Sequence, residues 1–487
     1  MSLGEISNAG ALNARRRVIA VDLDGTLIRS DMLIESIFLF LRFNPLRVFE
    51  LALWLFKGKA HFKRKIAAAV NPHVRTLPYN HKLIDWLVEQ RAQGAMLVLA
   101  TASEHRLARE IADHLSIFDQ VLGTQELNLA GAHKRDALVS CHGEQGFEYV
   151  GNSSADLRVW ESACVAHVVN PERGVLARAR RIGRVGEVFE DRRVYASVLR
   201  KALRLHQWAK NLLVFVPLLA AHKFTNLHLV ADGLLAFLCF GACASSVYLL
   251  NDLLDLEDDR QHRTKRNRPL AAGAFPMFHA MLWIPALLLI SFAAALAWLP
   301  LKFSLILLGY YALTLAYSLM LKRAVMIDVV VLAMLYTTRV IAGAAAMALT
   351  PTFWILAFCM FIFLSLAFVK RYTELYEARE KGVQVKAPGR GYVASDFELL
   401  ASLGGSAGYM SVLVLALYIN DPQAHVLYRH PHWLWAACPL LLFWLSRVWI
   451  IAHRGEMHDD PIVFALRDRM SRWVCVCFIA IFGISAF

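Results

Sequence analysis

Long apolar segments dominate the sequence after residue 200, and they limit the possible folds more than any other feature. The mean hydropathy of +0.44 and the charged content of 19% indicate membrane insertion, because soluble domains hold about 25% charged residues. The many aliphatic and aromatic residues exclude disordered, coiled-coil and collagen-like chains. About nine segments approach the roughly 20 residues that a spanning helix needs, and they lie near 210–228, 232–251, 278–299, 303–321, 326–348, 353–370, 401–420, 433–453 and 471–487.

The loops between these predicted spans differ in charge. The loops after the second, fourth, sixth and eighth spans are basic, whereas the opposite loops offer little beyond Lys223, Lys302 and Arg429. The positive-inside rule places the basic loops in the cytoplasm, together with the N-terminal region, which lacks the apolar run of a signal peptide. We therefore expect a multi-pass protein of the inner (plasma) membrane. The basic residues are Arg260, Arg263, Lys265, Arg266, Arg268, Lys322, Arg323, Arg371, Arg379, Lys381, Lys386, Arg390, Arg454, Arg467 and Arg469.

The first 197 residues have the pattern of a soluble α/β domain, which precedes a membrane domain over residues 198–487. Short apolar strands are predicted at 18–21, 96–100 and 147–150, with helical patterns between them. This alternation is typical of a parallel sheet with helical crossovers.

Two segments of this domain bear on its surroundings. An apolar insertion after the first strand predicts a helical cap over about 32–85, which either packs on its own core or lies on the bilayer surface. Residues 172–204 form a basic connector, which we interpret as a juxtamembrane segment on an anionic leaflet. We attribute the net charge of +13 to cytoplasmic loops and to surfaces that face anionic lipid. No nucleic-acid partner is expected.

Residues suited to phosphoryl transfer follow the predicted strands. Asp22 ends the first strand and can attack phosphorus, while Asp24 can protonate the leaving oxygen. Thr101 follows the second strand and can hydrogen-bond phosphoryl oxygens, and Lys134 can neutralise the charge of the intermediate. Asp156 lies beyond the third strand and can help to hold Mg²⁺ at the phosphate.

This ordered set resembles the haloacid dehalogenase superfamily, in its phosphoserine-phosphatase-like branch with a helical cap, over roughly residues 16–170. The resemblance implies a phosphatase site with Asp22, Asn152 and Asp156 as Mg²⁺ ligands. Asn152 departs from the family pattern, which usually has an acidic residue there. An amide lacks the charge of a carboxylate, so we expect weaker Mg²⁺ binding. The domain either retains turnover or keeps only the fold.

An acidic cluster ends the second predicted span. Asn251, Asp255 and Asp259 are spaced to share one helix face, and Asp252 borders it. Carboxylates that converge at the end of a membrane span repel one another, which is energetically costly unless a cation lies between them. Mg²⁺ prefers such oxygen ligands and binds them together with substrate phosphates. The cations that follow, Lys265, Arg266 and Arg268, are suited to diphosphate oxygens.

This segment resembles the UbiA-type superfamily of intramembrane prenyltransferases, whose first motif, NDxxDxxxD, is matched in full by Asn251, Asp252, Asp255 and Asp259. The resemblance covers roughly residues 200–487. It implies a nine-helix bundle with a central cavity, catalytic roles for Asp252 and Asp255, and Mg²⁺ held by Asp252, Asp255 and Asp259.

The usual aromatic prenyltransferases have a second acidic motif after the sixth span, but here cations replace most of its acids, in Lys370, Arg371 and Glu374. This change favours a substrate with an additional phosphate. The chain is similar to the decaprenyl-phosphate phosphoribosyltransferase branch, which transfers a sugar phosphate from phosphoribosyl diphosphate to a polyprenyl phosphate. Besides this change, the resemblance rests on 207–211, Tyr317, Ser318, Lys322, Asp328, Arg339, 390–392 and 458–461. The candidate substrate-binding residues are Lys210, Asn251, Lys265, Arg266, Arg268, Lys322, Lys370, Arg371 and Glu374.

Several alternatives remain open. The membrane domain could instead transfer a polyprenyl group from its diphosphate to an aromatic acceptor such as 4-hydroxybenzoate, beside a non-catalytic N-terminal domain. Asp459 and Asp460 could support metal or ribose hydroxyls, and Arg339 could bind substrate or pair with Asp328. A transporter is disfavoured because no inverted repeat is evident. If phosphoribosyl transfer occurs, the N-terminal domain could remove the 5-phosphate from the product. The sequence indicates no oligomeric state.

Overall fold

The computed structural model describes residues 16–43, 47–191, 194–262, 264–380, 391–457 and 460–486, which form two compact units. The first unit comprises the described residues of 1–203 and of 249–282. The second comprises those of 204–248 and 283–487.

The α-helices of the described chain are numbered here in sequence order, and 3₁₀ turns connect several of them. They are α1 Met32–Phe43, α2 Val48–Phe56, α3 Lys59–Ala69, α4 His81–Ala92, α5 His105–Leu115, α6 Ala132–His142, α7 Leu157–Trp160, α8 Val175–Ile182, α9 Tyr195–Ala202, α10 Val216–Ala220, α11 Leu227–Leu254, α12 Leu256–Gln261, α13 Met277–Trp298, α14 Leu301–Leu319, α15 Ile327–Ala346, α16 Phe353–Glu380, α17 Phe397–Ile419, α18 Pro422–Leu427, α19 Ala437–His453, α20 Pro461–Arg467 and α21 Arg469–Ala486.

A parallel sheet forms the centre of the first unit, and its strand order is β3-β2-β1-β4-β5-β6. Because β1 is central and β2 and β4 flank it, the residues that follow these three strands meet at one edge, where open α/β sheets bind their ligands. The strands are β1 Val18–Val21, β2 Met96–Glu104, β3 Gln120–Thr124, β4 Glu148–Gly151, β5 Val165–Val169 and β6 Val185–Phe189.

Both faces of this sheet are covered. Ile19 and Val21 pack into one apolar core, and Val18 and Ala20 pack into a second core on the opposite face. Successive side chains of a strand point to opposite faces, so a strand buried on both faces reads as a continuous apolar run. The prediction of a parallel sheet with helical crossovers is confirmed.

The cap consists mainly of α1, α2 and α3, which share a small apolar core containing Phe40, Leu51, Phe62, Ile66 and Val70. This packing agrees with the first of the two interpretations of the cap and does not exclude the second. It leaves the outer side of α2 uncovered by the described residues, because Leu51 is the one buried residue of that helix.

The second unit is helical, and the chain is a multi-pass membrane protein. Within the described ranges, eight helical segments are long and apolar enough to cross a membrane: Leu227–Leu254, Met277–Trp298, Leu301–Leu319, Ile327–Ala346, Phe353–Tyr376, Phe397–Ile419, Pro431–His453 and Arg469–Ala486.

The segment predicted as the first of nine spans, 210–228, differs from the prediction. It is a 3₁₀ helix over Leu205–Phe215 followed by the short α10. Lys210 and Asn211 are polar, and Pro217 cannot donate an N–H to the preceding turn. These residues explain why no long α-helix forms there.

The predicted connector 172–204 also differs from the prediction, because part of it completes the sheet. Residues 185–189 form β6, which pairs with β5, and α8 and α9 flank it. The high density of arginines obscured the apolar residues of this short strand.

Candidate active sites

A buried cluster surrounds the end of β1. The Lys134 ammonium lies 2.7 Å from Asp22 Oδ1 and donates to the Tyr149 hydroxyl at 2.9 Å. Tyr149 donates to Asp156 Oδ1 at 2.8 Å, and Lys134 Nζ lies 3.8 Å from the same oxygen. The structure therefore brings three of the predicted residues together and adds Tyr149.

Asp24 is held by two donors. The Met32 N–H, at the start of the cap, donates to Oδ1 at 2.8 Å, and the Ser103 hydroxyl donates to Oδ2 at 2.7 Å. Thr101 is fully buried on the same strand as Ser103, and its Oγ1 accepts the Ser103 N–H at 3.0 Å. These contacts fix the orientation of Asp24, as a general acid requires.

The environment alters the protonation of these groups. Burial raises the pKa of Asp22 to about 6, although the Lys134 ammonium acts in the opposite direction. Burial, together with the charges of Asp31 and Asp22, raises the pKa of Asp24 to about 7. A carboxyl group with a pKa near neutrality can both give and take a proton, which suits acid–base catalysis.

Asn152 packs against the turn after β1. Gly25 has a φ of +73°, and a Cβ there would come within 2.4 Å of Asn152 Nδ2, so glycine is required. Asp156 Oδ2 accepts the N–H groups of Asn152 and Ser153 at 3.0 and 2.9 Å, and the Ser153 hydroxyl at 2.9 Å. Protein donors thus contact both oxygens of Asp156, which supports a positioning role. Its role as a metal ligand stays a prediction.

The acidic segment lies where α11 ends. Asn251 and Asp252 belong to its last turn, Asp255 precedes α12, and Asp259 lies within α12. The N–H groups of Asp255 and Asp259 donate to the carbonyls of Asn251 and Asp255, both at 2.9 Å. The helical spacing expected from the sequence therefore continues across the break between the two helices.

Arg268 bridges two of these carboxylates. Its Nη1 lies 3.2 Å from Asp252 Oδ1 and 2.5 Å from Asp259 Oδ2, and both aspartates are buried. Burial raises the pKa of Asp259 to about 6, although the Arg268 charge acts against this shift. Lys265 and Arg266 lie exposed in the 3₁₀ turn Lys265–Asn267.

Both acidic sets were predicted to bind Mg²⁺. Within the described residues, no three His, Cys, Asp or Glu side chains converge as a ready metal site. The donor chemistry nevertheless fits, because both sets offer the oxygen ligands that Mg²⁺ prefers. In the α11–α12 segment, the Arg268 guanidinium already occupies the position of a cation shared by Asp252 and Asp259.

In the second unit, two lysines share one buried carboxylate. The ammonium groups of Lys210 and Lys370 lie 2.8 and 3.1 Å from Asp460 Oδ2, and the Tyr336 hydroxyl donates to the same oxygen at 3.0 Å. Burial opposes the ionisation of Asp460, but the two ammonium groups hold its pKa well below the usual range. Two cations beside one anion leave an excess positive charge that suits a phosphate.

Arg339 does not pair with Asp328, which was one of the two roles considered from the sequence. Its Nε donates to Asn211 Oδ1 at 3.0 Å, and its Nη2 donates to the Tyr310 hydroxyl at 2.9 Å. Asp328 instead accepts Arg371 Nε at 2.5 Å. Asn211 Nδ2 is buried and has no hydrogen-bond partner among the described residues.

Protein groups surround Arg371. Its guanidinium contacts Asp328, Glu374 and the Tyr317 hydroxyl, each at 2.5 Å, and Tyr392 donates to Asp328 at 2.6 Å. Arg371 therefore joins α15 to α16. Its predicted contact with a phosphate, and that of Glu374, stay predictions.

The remaining predicted residues are more dispersed or not described. Lys322 lies in the 3₁₀ turn Leu321–Arg323, and its substrate contact stays a prediction. Arg263, Lys381, Lys386, Arg390 and Asp459 lie outside the described residues.

Sequence reasoning missed several polar residues of these clusters. Tyr149 and Ser103 lie on strands, where a hydroxyl inside an apolar run was the available signal. Lys63 of the cap donates to the Ala102 carbonyl at 2.7 Å and to Asn128 Oδ1 at 2.8 Å. No local sequence pattern marks Tyr336 as a site residue, because its hydrogen-bond partner Asp460 is 124 residues away.

Comparison with known proteins identifies both parts of the chain. Residues 212–475 match the model of the UbiA prenyltransferase family, and residues 19–161 match that of haloacid dehalogenase-like hydrolases. Both matches fall within the segments for which the sequence showed these resemblances.

Individual relatives match either most of the chain or somewhat more than half of it. An uncharacterized protein, y4nM, of Sinorhizobium fredii is 35% identical over 94% of this chain and 89% of its own length. The decaprenyl-phosphate phosphoribosyltransferase of Mycobacterium tuberculosis is 30% identical over 58% of this chain and 92% of its own length. The structure of a UbiA homolog from Archaeoglobus fulgidus bound to GPP and Mg²⁺ aligns with a TM-score of 0.45 and 18% identity, covering 59% of this chain and 99% of that one.

Proposed function

The chain belongs to the UbiA prenyltransferase family and carries a haloacid dehalogenase-like N-terminal region, and from this premise we propose that it transfers a phosphoribosyl group from phosphoribosyl diphosphate to a polyprenyl phosphate. The observation that carries the proposal is its 30% identity to decaprenyl-phosphate phosphoribosyltransferases along 92% of their length. The two lysines that share Asp460 support it, because they suit an additional phosphate.

The α11–α12 segment is the proposed donor site. Asp252, Asp255 and Asp259 would hold Mg²⁺ once the Arg268 guanidinium moves from Asp252 and Asp259 to the substrate, and the bound ion would draw charge onto a diphosphate leaving group. Arg268 is partly exposed at these carboxylates and, with its neighbours Lys265 and Arg266, donates to diphosphate oxygens. The C1–O bond of the donor breaks with oxocarbenium character, and the ionised lipid phosphate attacks C1 without a strong base.

The cluster at Asp460 is the proposed site for the remaining phosphate. Lys210 and Lys370 neutralise either the sugar 5-phosphate or the lipid phosphate, and Asp460 holds both ammonium groups in place. Asn211 Nδ2, which is buried without a described partner, supplies a further donor.

We assign the N-terminal site a phosphatase role on the product of this transfer. Asp22 attacks the 5-phosphate of the ribosyl lipid, Asp24 protonates the departing ribose oxygen, and water then releases phosphate from Asp22. The positions of Asp24 and Lys134 support this role, whereas Asn152 weakens the site for Mg²⁺. In the cell, we place the chain in the inner membrane with its N-terminal region in the cytoplasm.

In the test, purified protein in detergent is incubated with Mg²⁺, radiolabelled phosphoribosyl diphosphate and polyprenyl phosphate. Label in the lipid fraction, lost in Asp255→Asn and kept in the control Glu398→Gln, is the expected result. If label instead enters 4-hydroxybenzoate when a labelled prenyl diphosphate is supplied, the chain is a prenyltransferase and the proposal is wrong.

A further inference from the structure

Helix α2 exposes an unusual amount of apolar side chain. Phe49, Leu53 and Phe56 are spaced four and three residues apart and therefore share one helix face. Leu51 alone is buried against the core of the cap. The exposed fractions are 47% for Val48, 71% for Phe49, 65% for Leu53, 54% for Leu55 and 90% for Phe56. Scattered apolar residues are ordinary on a surface, but a contiguous apolar helix face marks an interaction site.

The position of this helix within the first unit indicates what it contacts. Arg42, in the last turn of α1, forms an ion pair with Asp258, four residues beyond the end of the membrane helix α11. Glu35 accepts two hydrogen bonds from Arg260, at 2.7 and 2.8 Å, and both side chains are buried. The His73 N–H donates to Glu257 at 2.8 Å. The cap is thus tied to the stretch where the chain leaves the bilayer, and α2 begins six residues after Arg42.

The charges next to α2 are basic. Lys57, Lys59, Arg64 and Lys65 are exposed at the end of α2 and along α3. An apolar face bordered by cations is the pattern of helices that lie in the plane of an anionic bilayer surface. The same cations disfavour a second copy of this chain as the occupant, because two identical basic borders would repel each other.

We propose that α2 is an interfacial helix that inserts Phe49, Leu53 and Phe56 among the lipids, with anionic headgroups around the basic residues that follow it. This contact holds the cap, and the site that the cap contacts through Met32 and Asp24, at the bilayer surface. The phosphatase-like site then meets phosphates that are carried by lipids.

The test measures the depth of single spin labels in the full chain in nanodiscs of phosphatidylcholine and phosphatidylglycerol. The exposed cysteines Cys141, Cys164, Cys475 and Cys477 are first replaced by Ser. Labels are then placed by Phe56→Cys or by Leu53→Cys, and the matched control is Val88→Cys, an exposed apolar position of α4. The two α2 positions serve as independent variants if one of them fails to fold.

We expect the α2 labels to shift toward accessibility to oxygen and away from a water-soluble nickel chelate, with the label at position 88 showing the reverse. The protection should decrease when phosphatidylglycerol is omitted. Nickel accessibility at position 56 or 53 equal to that at position 88 would overturn the proposal. Spin–spin coupling between two copies at these positions would assign the face to a dimer and would also overturn it. None of these readouts depends on the proposed transferase activity.

Discussion

At the scale of single residues, the departure at Asn152 has the clearest chemical consequence. The amide lies against Gly25 at the end of β4, where the sequence resemblance implies an acidic Mg²⁺ ligand. Amide and carboxylate have nearly the same shape, so the two residues differ mainly in charge.

We predict that Asn152→Asp lowers the Mg²⁺ concentration that half-saturates phosphatase activity, by about tenfold, the lower end of the range that supporting ligands contribute to metal sites. The measurement is a Mg²⁺ titration of phosphate release by the full chain. Ser154→Asp, which adds a charge two residues away, is the control and should leave the midpoint unchanged. An equal midpoint in Asn152→Asp and the native chain would show that this position does not contact the metal.

Glu148 provides a pH-dependent contribution to stability. Burial alone would raise the pKa of Glu148, but hydrogen bonds with His167 and Arg17 lower it from 4.5 to about 2. The folded state therefore binds the proton less well than the unfolded state, so the stabilisation is present above pH 4.5 and is lost as the pH falls toward 2.

Glu148→Gln should therefore lower the free energy of unfolding by about 1–3 kcal/mol at pH 7 and reduce the loss of stability between pH 5 and pH 2. The measurement is chemical unfolding of both proteins across this pH range. Parallel pH curves for the variant and the native chain would contradict the assignment.

At the scale of secondary structure, the sequence predicted elements whose signal is local. The strand β1 and eight membrane helices were predictable because continuous apolar runs define them. The short strands β3, β5 and β6 were not predicted, because pairing within the sheet stabilises them more than their own residues do. The proline and the polar residues of 205–217 similarly outweighed their apolar neighbours.

The Glu35–Arg260 pair joins α1 to α12, and no local sequence pattern predicts this contact. Arg260 also donates from Nε to the Ala271 carbonyl at 3.0 Å, so its guanidinium has buried partners on two sides. Removing one partner leaves the other as an uncompensated buried charge.

We expect Glu35→Gln to lower the free energy of unfolding by about 3–5 kcal/mol, the usual cost of breaking a buried ion pair. The reversed pair, Glu35→Arg with Arg260→Glu, should recover part of this loss. Arg47→Gln, which breaks the exposed pair with Glu50, is the control and should change little. Thermal unfolding in detergent measures all three, and equal effects of Glu35→Gln and Arg47→Gln would argue against a coupled pair.

At the scale of the whole molecule, compact units and family segments do not coincide. Residues 249–282, which carry the UbiA acidic motif, belong to the same compact unit as the described N-terminal residues. Contacts such as that between Glu35 and Arg260 join residues 225 positions apart, so no local sequence pattern predicts them. The motifs themselves could be predicted from the sequence, because the aspartates of each motif lie only a few residues apart.

We propose that one chain phosphoribosylates a polyprenyl phosphate and then removes the 5-phosphate. The most direct test is the mass of the lipid product that the full chain forms from phosphoribosyl diphosphate and polyprenyl phosphate, compared with the product of Asp22→Asn. We expect a polyprenyl-phosphoryl-ribose from the native chain and the same lipid with one additional phosphate from the variant. Identical masses from both proteins, or no ribosylated lipid from either, would contradict it.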